Sequence, residues 1–504
     1  MASVEDIHRQ VAALSLTESS TEEKQSQVLG AALQELDSTS KLLMGQLDTI
    51  NKLISSNTEV IAKHEAAFYQ AYQRVRQSRL KTQRFQNAAV QSVVTRITSL
   101  VTGRHSQTTD MLAYFDRTIK DIIKNSLPDL HDKDSLWIII EKCYIQAVTP
   151  SGQLHANNYV DFLSQRENEK NHVADFEDTW VHFWATCLNN CPGGPTLFIP
   201  PAITPFQDEN DPPKYLFRAY DEESWGTNRE DIIASSGCDL NRRDILSRSR
   251  QDASSKMLYG HLRTPYGSTR DDNLVSWSSS LLFVIQCANY RSRRAGMGSD
   301  GVFICAVDTT KFPKGQFARD KWLMTIFRDV SGEDAKFRIL RFEEPTYDNG
   351  EYLSQGTLNV KGRSCLMSLR NLQRAGLGRL YPELDVERAR PTDPVRRKWT
   401  NYVKDLREAW QNAQASTDSE LQSAIEIAES CFESFDEYDM TLLLLAFRER
   451  KLKNTDGWRL EIPGPAEVCR YMNLSYQASR LEDITAEGGL EGLRRLFKYE
   501  WDMD

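Results

Sequence analysis

Apolar residues change their period twice along this chain. In the first part, Leu36, Leu43, Leu47, Ile50, Ile54 and Ile61 recur at spacings of seven, four, three, four and seven. Those spacings put them on one side of a helix and form a seam for helix packing. No proline occurs before Pro128, and the region is rich in Gln, Ala, Leu, Lys and Glu, which lose little rotamer freedom in a helix. Residues 1–127 are therefore expected to form a helical bundle or coiled coil that folds independently. The seam is short, so packing within the chain is its simpler use, and self-association with a protein partner or a second copy is the alternative. Two further stretches, DSLWIIIEKCYIQAV and FEDTWVHFWATCL, read as buried helices with Trp180, Phe183 and Trp184 as core groups, which makes 128–191 a helical connector. Seven of the 17 prolines then fall between Pro192 and Pro213. Proline lacks the backbone donor, so 192–213 is expected to be a linker and a domain boundary.

Beyond the prolines the apolar runs shorten and alternate. KYLFRAY, NLVSWS, GVFICAVDT, WLMTIFRDV, KFRILRF and EYLSQGTLNV are rich in β-branched and aromatic residues and are bounded by turn formers, so they predict strands. REDIIASSG predicts a short helix with a glycine stop, and ILSRSRQDASSKMLYGHL a longer one. The fold class is α+β, with a mixed domain over 214–362. Helical periodicity returns in RKWTNYVKDLREAWQNAQ, DSELQSAIEIAESCFESF and DMTLLLLAFRERKLKN, so 363–504 is expected to be a C-terminal helical domain.

Charge and composition narrow the function classes. The chain has 504 residues and a net charge of −9, which argues against nonspecific binding to nucleic acid or anionic membranes. Nine scattered cysteines do not make a disulfide framework. The strongest apolar run, Thr441 to Phe447, is far shorter than the roughly 20 residues that cross a bilayer. With no basic and apolar leader at the N-terminus, a cytoplasmic location is the expectation, with the nucleus as the alternative.

HExxH, paired CxxC, GxxxxGK[ST] and GxSxG are all absent, so zinc protease, zinc finger, P-loop and hydrolase readings lack their anchor. Polar residues on strands stand out instead. Arg218 follows Leu216 and Phe217 in YLFRAYDE, where a buried guanidinium needs an anion or a carboxylate. Ser276 and Ser278 share one face of LVSWS while Trp277 points to the other, and Ser278 to Ser280 are placed to cap the helix that follows. Taken singly, each has a plainer use: Arg218 in an ion pair with Asp221 or Glu222, Glu351 as a solvated edge charge, His261 at a helix end, and Arg291 to Gly296 as a solvated basic loop.

The order Arg218, LYGH with His261, LVSWSSS with Ser276, and NGEYLSQG with Glu351 resembles the Arg, Ser-x-Ser, x-x-Glu pattern of the cholera-toxin-like mono-ADP-ribosyltransferases. The FRAYDE opening, Leu258 to His261, the pair Asp271 and Asp272 before Val275 to Ser278, and a glutamate strand running into glycine all match. The LFRAYDE opening is also similar to that of an uncharacterised fungal domain family. The resemblance implies a split-sheet ADP-ribosyltransferase-like domain that takes NAD as substrate and needs no metal. Glu351 would stabilise the oxocarbenium-like centre, Arg218 would hold the pyrophosphate or ribose side, Ser276 would hold the ribose or fix Glu351, and His261 would bind the adenosine ribose. Ser278 and Asn349 complete the implied cofactor-binding set.

Two departures from that pattern bear on function. Trp277 stands where the family has threonine, on the face turned away. Asn349 stands where arginine-modifying members have glutamate, and an amide can orient an acceptor but cannot take its proton. Three function classes follow: an NAD-dependent mono-ADP-ribosyltransferase or NAD glycohydrolase acting on a protein acceptor or on water, a noncatalytic relative that binds a nucleotide or a protein, and a scaffold whose helical arms carry the function.

Overall fold

The computed structural model describes residues 58–101, 106–127, 136–166, 173–199, 211–238, 243–247, 251–263, 272–294, 298–327, 335–385, 399–453, 464–480 and 489–498, with isolated positions between 42 and 52. Of the N-terminal seam, Leu36, Leu47 and Ile54 lie outside the described residues, as does the bundle expected there. The chain divides into Met1–Ala89 and Val90–Asp504. In the first unit the helix Thr58–Ser99 begins, and it exposes Tyr69, Leu80 and Phe85.

Within the second unit, one apolar core runs from Val90 to Leu197. The helices Ser106–Tyr114 and Asp116–Ser126 turn Met111, Ile119 and Ile123 into it, Phe115 enters from the junction between them, and Leu136–Val148 and Val173–Asn190 supply Ile140, Trp180, Trp184 and Leu188. Phe115 stacks on Trp180 at 5.4 Å between ring centroids. The break expected at 127 therefore cuts through a core, because the apolar faces before it find their partners only after it. The proline-rich boundary also begins inside the packing: Thr196 is fully buried and bridges to Gln355, and the Phe198 amide donates to the Gly315 carbonyl at 2.8 Å.

The strands are β1 Tyr215–Tyr220, β2 Thr227–Asn228, β3 Ile232–Ala234, β4 Leu274–Ser278, β5 Phe303–Asp308, β6 Ala318–Arg319, β7 Glu351–Gln355, β8 Thr357–Asn359 and β9 Ser364–Ser368. Every pairing is antiparallel, in a six-stranded sheet ordered β6-β7-β4-β1-β5-β9 and a three-stranded one ordered β2-β3-β8. The α+β class holds. Gly356, at φ +60°, divides the expected EYLSQGTLNV strand so that β7 serves one sheet and β8 the other.

Three element types differ from the sequence expectation. WLMTIFRDV lies partly in the helix Asp320–Ile326, and KFRILRF lies in the helix Ala335–Phe342. In the latter, Phe337, Arg338 and Arg341 recur at helical spacing on the packed side, while Ile339, Leu340 and Phe342 are exposed. Their spacing of three to four, not the count of apolar residues, set the structure. REDIIASSG holds β3 rather than a helix, because β8 offers Ile233 a strand edge at Leu358 and a buried cluster to enter.

The C-terminal helices pack against the sheet domain. Val403, Leu421, Leu444, Leu474 and Phe497 share one core with Phe217, Ile304 and Ala306 of the sheet and with Leu281 and Ile285. A buried polar link joins the same parts. Arg407 donates through Nε and Nη2 to Glu467 at 3.0 and 2.8 Å, and through Nη1 to the Asp348 carbonyl at 3.2 Å and to Asn349 Oδ1 at 3.0 Å. Ser280 Oγ donates to the same Glu467 and accepts from the Phe283 amide at 3.0 Å, so it caps the helix Leu281–Arg294 and ties it to the C-terminal region. Burial alone would push the Glu467 carboxyl up; the charge of Arg407 and the bonds from Arg407 and Ser280 outweigh it and hold the group below the usual carboxylate range.

Cutting the chain at residue 127 is expected to leave Met111, Phe115 and Ile123 without their partners. Circular dichroism should show a fragment ending at 127 losing the helicity of 106–126, and one ending at 199 retaining it. Arg407→Met should destabilise the protein by about 3–5 kcal/mol, since it leaves a buried carboxylate unpaired. Glu467 is lowered in the folded state, so its contribution is complete above the ordinary glutamate range and disappears as pH falls through the native value. Denaturant unfolding should accordingly show the wild-type advantage over Arg407→Met narrowing as pH falls, first as the unpaired Glu467 of the variant takes up a proton and then as the lowered native value is passed.

Candidate functional site

Three adjacent strands, β7, β4 and β1, carry Glu351, Ser276 and Arg218 respectively. Alternation along β4 puts Ser276 and Ser278 on one face, while Val275 and Trp277 enter the buried cluster on the other. Trp277 is nearly fully buried there, and its indole N–H donates to Ser354 Oγ at 2.9 Å. The register pairs Ser278 with Glu351, so the carboxylate starts on the serine face. β1 meets β4 at a single residue pair, Phe217 with Ser278. Arg218 reaches across beside that pair to donate to the Ser276 carbonyl at 3.1 Å and to Asn228 Oδ1 at 3.3 Å.

These strands border a cavity of about 640 Å³ lined in part by Arg218, His261, Ser276, Arg291, Arg341 and Glu351. Its volume falls in the roughly 300–1,000 Å³ range of small-molecule sites. Ser276 Oγ donates to Glu351 Oε1 at 3.0 Å and lies 2.8 Å from His261 Nε2, and His261 Nδ1 meets Asp272 Oδ2 in a short contact. Asp272, His261, Ser276 and Glu351 thus form one continuous polar chain along the cavity wall. His261, expected to bind a ribose, has both ring nitrogens engaged inside this chain.

Glu351 Oε2 also accepts from Arg341 Nη2 at 2.8 Å, and Arg341 Nη1 donates to Asp320 Oδ2 at 3.2 Å. Burial disfavours the charged form of Arg341, but the adjacent charges of Glu351 and Asp320 outweigh it and hold the guanidinium firmly protonated. Asp320 is itself pushed up by burial, an effect that Arg341 and Arg319 oppose. Arg218 differs from both other cavity arginines. The ion pair considered for it with Asp221 does not form: Asp221 Oδ1 accepts from Arg291 at 2.9 Å. Among the described residues no carboxylate pairs with Arg218. Burial, and then the positive charge of Arg291, lower its pKa to about 10.

Ser278 and Asn349, expected to bind cofactor, are engaged within the protein. Ser278 Oγ donates to the Asn349 carbonyl at 2.6 Å, and Asn349 Oδ1 belongs to Arg407. The turn that follows Asn349 needs glycine: Gly350 sits at φ +63°, and a Cβ there would lie 1.8 Å from Ser279 Oγ. Glu343 and Glu344 are exposed and do not line the cavity.

Arg291, expected in a solvated loop, lies in the helix Leu281–Arg294 and faces Asp221. Asp272 and Asp320 carry no motif that assigns them a role, and Arg341, expected on a strand, lies on the helix Ala335–Phe342. The Arg338 and Arg341 spacing was the available signal for the last. Among the described residues no group of three or more His, Cys, Asp or Glu side chains is placed to hold a metal ion, and no helix is long and apolar enough to cross a membrane.

A family model for a domain of unknown function, DUF7587, matches residues 211–358. The match spans every cavity residue discussed above and stops before Arg407 and Glu467. No curated protein and no solved structure matches the chain.

Proposed function

We propose that this chain is an NAD-dependent mono-ADP-ribosyltransferase or NAD glycohydrolase with an ADP-ribosyltransferase-like split sheet. One observation carries the reading: Arg218, His261, Ser276 and Glu351, distant in sequence and singled out together, line one cavity and join through Ser276. Arg218 is a half-buried cation without a carboxylate among the described residues, which fits the diphosphate of a dinucleotide. Glu351 supplies the negative charge that an oxocarbenium-like ribose needs as the nicotinamide bond breaks. Ser276 aims Glu351, and His261 with Asp272 holds Ser276.

A second reading, noncatalytic nucleotide binding, is favoured by the ion pair that Arg341 makes with Glu351. NAD titration and nicotinamide release separate the two: both readings require binding, and only the first requires release.

Glu351→Gln is expected to cut nicotinamide release on the order of a hundredfold or more while leaving the circular dichroism spectrum unchanged. Glu343→Gln should leave release intact, and the reverse result would move the catalytic role away from Glu351. With Asn349 bound to Arg407, free arginine analogues lack a carboxylate at that position to take their proton. Mass spectrometry with NAD and agmatine should show little labelled agmatine, and efficient labelling would contradict this use of Asn349.

A further inference from the structure

The cavity already contains a guanidinium in contact with the proposed catalytic carboxylate. Arg341 Nη2 lies 2.8 Å from Glu351 Oε2, and Nη1 lies 3.2 Å from Asp320 Oδ2. Asp320 is 1% exposed, and its other oxygen has no hydrogen-bond partner, with Arg319 Nε 3.6 Å away. A guanidinium that attacks carbon must lose a proton, and a carboxylate in hydrogen-bond reach can take it. Position 349 supplies an amide committed to Arg407, whereas Asp320 supplies the carboxylate from another part of the fold.

We propose that Arg341 is the acceptor of a self-modification, receiving the ADP-ribosyl group from NAD bound in the same cavity, with Asp320 taking its proton. This rests on the NAD reading above. When the ribose hydroxyls engage Glu351, Arg341 Nη2 gives up its contact there while Nη1 keeps Asp320. The C1′–nicotinamide bond breaks and its electron pair leaves with neutral nicotinamide. The Nη2 lone pair forms the new C1′–N bond, one guanidinium proton passes to Asp320, and the substituted guanidinium keeps its charge. Tethering beside Glu351 gives this nitrogen an effective concentration that no free acceptor matches.

The test incubates the full chain with NAD and follows nicotinamide release together with peptide mass mapping. The expected result is one ADP-ribose on the peptide containing Arg341, absent in Arg341→Gln and Glu351→Gln. Nicotinamide release should vanish in Glu351→Gln. Asp320→Asn, checked for folding by thermal unfolding, should lose at least tenfold in adduct formation and less in release. Release without an adduct at Arg341 in the unmodified sequence overturns the self-modification and leaves the NAD reading standing. If Arg341→Gln then releases nicotinamide faster, Arg341 blocks the site and is not its acceptor. No release by the unmodified sequence overturns both proposals.

Discussion

The buried ion pair of Arg407 with Glu467 is the interaction on which the geometry of the cavity edge depends. Two opposite charges removed from water are worth keeping only when every remaining donor and acceptor is used. Here the surplus bonds go to the Asp348 carbonyl, Asn349 and Ser280. The first two fix the turn before Glu351, and the third fixes the start of the helix behind Ser278. A region outside the matched family segment thereby positions the strand end that carries the carboxylate.

The serine cluster between β4 and its helix serves four different needs. Ser276 turns its hydroxyl to Glu351 and His261. Ser278 holds the Asn349 carbonyl, and the Ser279 amide holds that of Gly350 at 2.8 Å. Ser280 caps the helix and reaches Glu467. Small hydroxyls are required because two backbone segments approach closely here, as the space beside Gly350 shows.

Charge in the cavity is arranged by contrast. Arg291 and Arg341 meet carboxylates, while Arg218 is left with a carbonyl and an amide oxygen. Neutral acceptors satisfy its geometry without cancelling its charge, so an anion entering the cavity meets an uncompensated cation in a partly desolvated place. On the opposite side, Glu351 is held between a serine and an arginine, and any ligand that uses it must first displace Arg341.

The sequence alone determined the elements whose periodicity is local. Alternation marked β1, β4, β5 and β7, and it placed Ser276 and Ser278 opposite Trp277, because side-chain direction in a strand follows from backbone geometry. The order of Arg218, His261, Ser276 and Glu351 pointed to a common site before any contact was known. Only the tertiary structure decided which partners those side chains use. Whether Asn349 faces an acceptor or Arg407, whether Arg218 meets Asp221 or stays unpaired, and that Arg341 sits on Glu351 all depend on residues far away in the chain. The short apolar run around Leu323 fits strand and helix alike, and packing chose the helix. Packing across positions 127 and 362 has the same reason: apolar faces separated by a composition shift bury against each other.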